Sequence, residues 1–114
     1  MTQAVLTLAD LPLEPADASA EFHSRWLLEA RRMIAGLSGD DGALLIVMPE
    51  ADHTHAEWRL AAVRMLAREA APVRVNGVGC DDERVSRFAS FLATAPGVTG
   101  QYLPANFQLA RPGT

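Results

Sequence analysis

The chain has 114 residues, 49% of them hydrophobic and 21% charged, with a formal net charge of −4. That is one domain with one core, and the balance excludes a disordered chain. With no basic cluster beyond Arg31-Arg32, nothing collects nucleic-acid phosphates, and no apolar run nears a membrane span.

Short β-branched runs alternate with longer helical patterns, which predicts βαβ units and a parallel sheet. Residues 3–8 read as a first strand, and two prolines make 11–15 a connector. A helix is predicted over 16–35, because Phe22, Trp26, Ala30, Met33 and Ile34 recur at spacings of three and four. Acidic residues suit its start, and Arg31, Arg32 and Gly36 suit its end. A loop at 38–42 leads to the apolar run 43–48, ALLIVM, a strand buried on both faces. A second helix is predicted over 53–70, stopped by Pro72. It carries two apolar stripes, Trp58, Ala61, Ala62, Met65 and Leu66, and more weakly Leu60, Val63 and Ala67. Residues 73–79 read as a third strand, with Asn76 and Gly77 marking its loop exit. Asp81-Asp82-Glu83 opens a third helix whose apolar face is Val85, Phe88, Phe91 and Leu92. Residues 98–103 read as a fourth strand, and 104–114 as an irregular tail.

Three phrases in this order are similar to a known family. LAAVRMLAREAAP (60–72), then VRVN (73–76), then VTGQ with its apolar continuation (98–103), resemble the C-terminal half of the short-chain dehydrogenase/reductase family. The helix resembles that family's long helix, and the two later phrases its last two strands. The resemblance implies a small, half-Rossmann-like α/β domain of three layers. It holds about four parallel strands in sequential order with three helices, two on one face and one on the other. The whole chain, 1–114, then reads as a single truncated domain of that type.

The resemblance also implies what to look for in the chemistry. The family uses a tyrosine and, four residues later, a lysine, with a serine nearby and a Gly-rich turn that cradles a nicotinamide dinucleotide. All ten basic residues of this chain are arginines, so it contains no lysine, and its single tyrosine, Tyr102, lies in the last strand. Alignment on LAREAAP places the tyrosine at Asp52 and the lysine at Ala56, or one turn on at Ala56 and Leu60. The serine falls near Met48 or Pro49. GLSGDDG (36–42) precedes a strand instead of following one, and carries two aspartates that repel phosphate. No catalytic residue, no cofactor-binding residue and no cofactor is therefore expected.

Two groups of residues stand out as candidates for other roles. Glu50, Asp52, His53, His55 and Cys80 gather at strand ends, where open α/β sheets bind ligands. With Glu57 and the distant His23 they have metal-ligand character, but the more economical reading makes Asp52 a helix N-cap, so no metal is expected. Cys80 lacks an assignable base and faces three carboxylates, which leaves it a small residue after a strand. Trp26, Trp58, Ala62, Met65 and Leu66 form the candidate interface, since the family pairs the two corresponding helices across a two-fold axis.

The resulting expectation is a catalytically inactive dehydrogenase-like protein. It forms a homodimer, or a hetero-oligomer with a full-length relative, through helices 16–35 and 53–70. A small-molecule-binding module at the strand ends is the alternative, and a divergent oxidoreductase comes last. The single Cys80 and the absence of a signal-peptide pattern suggest a cytoplasmic protein.

Overall fold

All seven residues of Gly42–Met48 are buried, so both faces of that strand need covering. The computed structural model, which describes residues 2–37 and 41–109, meets this need with three layers. Four parallel strands, β1 (Thr2–Thr7), β2 (Gly42–Met48), β3 (Arg74–Gly79) and β4 (Tyr102–Pro104), lie in sequential order in one sheet. One face is covered by α3 (Ala56–Ala70) and by a helical rod. The rod consists of α1 (Pro15–Glu21), a π turn (Phe22–Trp26) and α2 (Leu27–Ala35). The other face is covered by α4 (Val85–Ala93). Of the expected loop, residues 38–40 lie outside the described residues, as do 110–114 of the tail.

Strand register decides which residues meet which layer. β2 shows no alternation of apolar and polar side chains, yet its residues still divide by face. Leu44 pairs with Val75 and Ile46 with Gly77. Leu44, Ile46 and Met48, with Leu6 and Val75, pack under the rod and α3. Leu45 and Val47, with Val78 and Leu103, pack against Phe88 and Leu92 of α4. Each such burial stabilises by roughly 1.5–3 kcal/mol relative to exposure. The π turn brings Ala18, Phe22 and Ala30 onto one fully buried line by adding one residue to the helical repeat.

The starts of the third helix and of the fourth strand differ from expectation, as does the reading of Asn76 and Gly77. The third helical body begins at Val85 instead of Asp81, because the Asp81 carboxylate accepts from the Arg84 backbone N–H at 3.1 Å. That bond folds the acidic run into a turn ahead of the helix. The third strand ends at Gly79, as expected, so Asn76 and Gly77 lie within it and mark no exit. The fourth strand begins at Tyr102 instead of residue 98, because side chains take over the ladder there. Asn76 Nδ2 donates to the Val98 carbonyl at 2.9 Å, and its Oδ1 accepts from Gln101 N at 3.1 Å. Thr99 Oγ1 accepts from Val75 N at 3.0 Å. Gly100, at φ 73°, allows the chain to turn between these bonds.

Asn76 is buried, at 3% exposure. Asn76→Ala leaves the Gln101 N–H and the Val98 carbonyl unmatched and is expected to lower stability by about 1–3 kcal/mol, read as a lower urea midpoint at unchanged slope.

Arg31 reaches from α2 to Glu69 of α3 by a two-pronged bond, Nε to Oε1 at 2.7 Å and Nη2 to Oε2 at 2.9 Å. The guanidinium holds the Glu69 carboxyl below its ordinary value of 4.5. A carboxyl whose folded-state value is depressed contributes stability above its unfolded value and loses it as pH falls through the folded one. Glu69→Gln should therefore reduce stability above pH 4.5 and flatten its fall on acidification, measured as urea midpoint against pH.

Candidate functional site

Because the four strands are parallel, their carboxyl ends meet on one rim, and the loops after them build every candidate position. The loop after β2 carries Glu50 to His55. Asp52 caps the short 3₁₀ turn His53–His55, accepting from the Thr54 backbone N–H at 3.0 Å and from the Thr54 hydroxyl. The Thr54 hydroxyl and then the Thr54 N–H lower its pKa. His53 is exposed. His55 is 5% exposed. Its Nε2 lies 2.9 Å from the Leu13 carbonyl, while Nδ1 accepts from Trp58 Nε1 at 3.1 Å. That second bond fixes Nδ1 as acceptor, so Nε2 carries the proton and donates to Leu13. His55 thus ties the loop after β1 to the start of α3.

The five residues expected at one corner are therefore divided. Glu50, Asp52 and His53 line a cleft of about 470 Å³ together with Ala56 and Tyr102. Glu50 and Cys80 line a second cleft of about 550 Å³ with Asp81 and Asp82. His55 lines neither. Among the described residues, no three His, Cys, Asp or Glu side chains converge as metal ligands do. Burial, and after it the Asp81 carboxylate, push the Cys80 thiol up, which keeps it protonated and a poor nucleophile.

Arg84 joins the loops along this rim. Its Nη2 lies 3.2 Å from Asp81 Oδ2 and 3.6 Å from Glu50 Oε1, and Nη1 donates to the Ala105 carbonyl at 3.2 Å. Segments following β2, β3 and β4 are held by one guanidinium.

The candidate interface residues are also placed differently from one another. Ala62 and Leu66 face the sheet and are buried, on a line with Arg59, Val63 and Ala67. The two stripes expected on α3 thus both contribute to a single inward line. Trp26, Trp58 and Met65 are half-buried at its margins, the two tryptophans packed against the core. Arg25 lies 4.5 Å over the Trp26 ring.

The pair Arg59 and Tyr102 escapes the sequence reading. Arg59 is 1% exposed, and its Nη1 donates to the Pro49 carbonyl at 2.8 Å and to the Tyr102 hydroxyl at 2.9 Å. A signal is there, since an arginine stands three and four residues before Ala62 and Val63, on the line that α3 buries.

A family model described as short chain dehydrogenase-like protein matches residues 6–105. The chain belongs to that family. No curated protein and no solved structure matches it. In this SDR-like chain, the positions that resemblance assigns to tyrosine and lysine hold Asp52, the N-cap, and Ala56, the first residue of α3. No described helix is long and apolar enough to cross a membrane.

Room for the Tyr102 hydroxyl comes from Gly79 of β3, while Gly77 admits the Val63 side chain of α3. A Cβ on Gly79 would collide with the Tyr102 hydroxyl and lie 2.9 Å from Arg59 Nη1. Gly79→Ala is expected to destabilise by about 1–3 kcal/mol. Tyr102→Phe removes the colliding oxygen, so the same change should cost measurably less in that background, as a double-mutant cycle of unfolding free energies would show.

Proposed function

We propose that this SDR-like chain is catalytically inactive and works by association, as a homo-oligomer or as a partner subunit of a full-length dehydrogenase. The observation that carries the reading is the tyrosine-lysine register. It holds Asp52, already engaged in capping, and Ala56, or one turn on Ala56 and Leu60, in a chain without lysine. A proton relay to a substrate oxygen needs a donor whose ionisation a neighbouring cation favours, and neither position supplies one.

The association surface in this reading is the outer side of α2 and α3. Both helices connect parallel strands and so run in the same direction, joined by Arg31 and Glu69. One turn earlier on each stand Leu28, 55% exposed, and the half-buried Met65. Large apolar side chains left at the surface of neighbouring helices support a partner there.

Two measurements test this. Titration with NAD(H) and NADP(H) should give no saturable binding in the micromolar range, and tight binding would refute the inactive reading. Light scattering of the purified chain should give a mass at least twice the monomer. Leu28→Arg with Met65→Arg should return it to the monomer. A monomeric wild type that also fails to capture a co-expressed full-length dehydrogenase would refute association.

A further inference from the structure

The sheet order is β1-β2-β3-β4, so β1 and β4 are its edges. β4 is blunted, since it has three residues and closes on Pro104, which has no N–H to offer. β1 has six residues, TQAVLT, with neither a charge nor a proline among them. An edge of that kind is a template for another strand unless something covers it.

Register shows which backbone groups of β1 are open. Leu8 N donates to the Val47 carbonyl at 2.8 Å, and β1 pairs with β2 in parallel. The N–H and C=O of one residue point to the same side of a strand and alternate along it, so those of Ala4, Leu6 and Leu8 face β2. Gln3, Val5 and Thr7 turn theirs outward, and among the described residues no strand takes them. The side chains of the same three lie on the α4 side of the sheet. Leu6 and Leu8 pack under the rod, while Gln3 Nε2 donates to the Ala89 carbonyl at 3.1 Å. Beyond that bond α4 gives little cover: Val5 is 43% exposed, and Thr7 is exposed too.

We propose that this edge pairs with the same edge of a second copy of the chain, antiparallel and centred on Val5. Gln3 and Thr7 stand two residues to either side of Val5. In that register Val5 meets Val5 of the second copy, and Gln3 meets its Thr7. All are outward-facing residues, so each pair exchanges both backbone bonds. The exposed valines become a cross-strand pair on the α4 side. Charge and closure select a second copy over another strand. Each copy carries a net charge of −4, and this uncharged edge is a place where two of them meet without repulsion. A two-fold pair also consumes both open edges at once, and the joined sheet then ends at either side on the blunted β4. The contact is separate from the outer side of α2 and α3 and does not rest on it. One strand pair is smaller than a stable interface, so it forms at roughly 0.1–1 mM and leaves a dilute chain lacking the helix contact monomeric.

The test measures amide exchange with water in the ¹⁵N-labelled full chain carrying Leu28→Arg and Met65→Arg, so that the helix surface does not contribute. Between about 20 μM and about 1 mM, exchange at Gln3, Val5 and Thr7 should slow by about threefold or more. Ala4, Leu6 and Leu8, already bonded to β2, should not respond. In the same background Val5→Lys sets like charges opposite one another and should abolish the concentration dependence, whereas Val5→Thr should keep it. Mixing Val5→Lys with Val5→Glu should restore the protection that each lacks alone. Exchange at the three amides that is independent of concentration overturns the proposal, as does protection in Val5→Lys equal to that of its parent. Protection that appears only with a full-length dehydrogenase also overturns it, in favour of a foreign strand. Failure of the helix reading shows separately, in the mass of the dilute chain and its capture of a dehydrogenase.

Discussion

Strand β2 has water on neither face, and the remaining architecture answers to that. Seven consecutive buried residues require a layer above and a layer below. The rod and α3 supply one, and α4 the other. Helices that cross back over parallel strands leave every strand pointing the same way, so all the loops after the strands collect on one rim. Glu50, Asp52, Cys80 and Arg84 are neighbours there because of topology, although α3 and β3 separate the first two from the last two in sequence. What the rim lacks is a tyrosine and lysine in the places where the family's chemistry stands.

The Arg59–Tyr102 couple shows how a polar group can be built into such a core. Gly79 omits the side chain that would collide with the Tyr102 hydroxyl, and Gly77 the one that would press on Val63 of α3. The Tyr102 hydroxyl lies over Gly79 and meets a guanidinium arriving from α3. Pro49, at the exit of β2, supplies the second acceptor. Three elements thus converge on one charged group. Glycines that resemble loop residues in sequence are here a packing device within a strand.

Much of the fold is legible in the sequence because it rests on local pattern. ALLIVM announces a doubly covered strand, and the phrases LAREAAP, VRVN and VTGQ carry the order of α3, β3 and β4. What is not legible depends on contacts distant in sequence. β4 starts at 102 and not at 98 because the side chains of Asn76 and Thr99 replace backbone pairing, which no periodicity encodes. Adjacency groups His55 with His53, yet one is exposed and the other is held between Leu13 and Trp58. Arg59 is easily overlooked because an arginine in a helix is ordinarily assigned to the solvent face. Its place on the inward line becomes evident only when Ala62, Val63 and Leu66 are counted together.

The π turn at Phe22–Trp26 has a consequence for how the rod can change. In an uninterrupted α-helix counted from Phe22, residue 29 instead of residue 30 falls back on the inward line, two turns along. That residue is Glu29, whose carboxylate would then be driven against the sheet. The bulge acts as a phase shifter, rotating the second half of the rod by about one residue, or about 100°, so that Ala30 meets the core instead. The halves on either side keep separate registers. An insertion or deletion within 22–26 would reset the phase of α2 alone, while the pairing of Ala18 and Phe22 with the sheet stayed as it is.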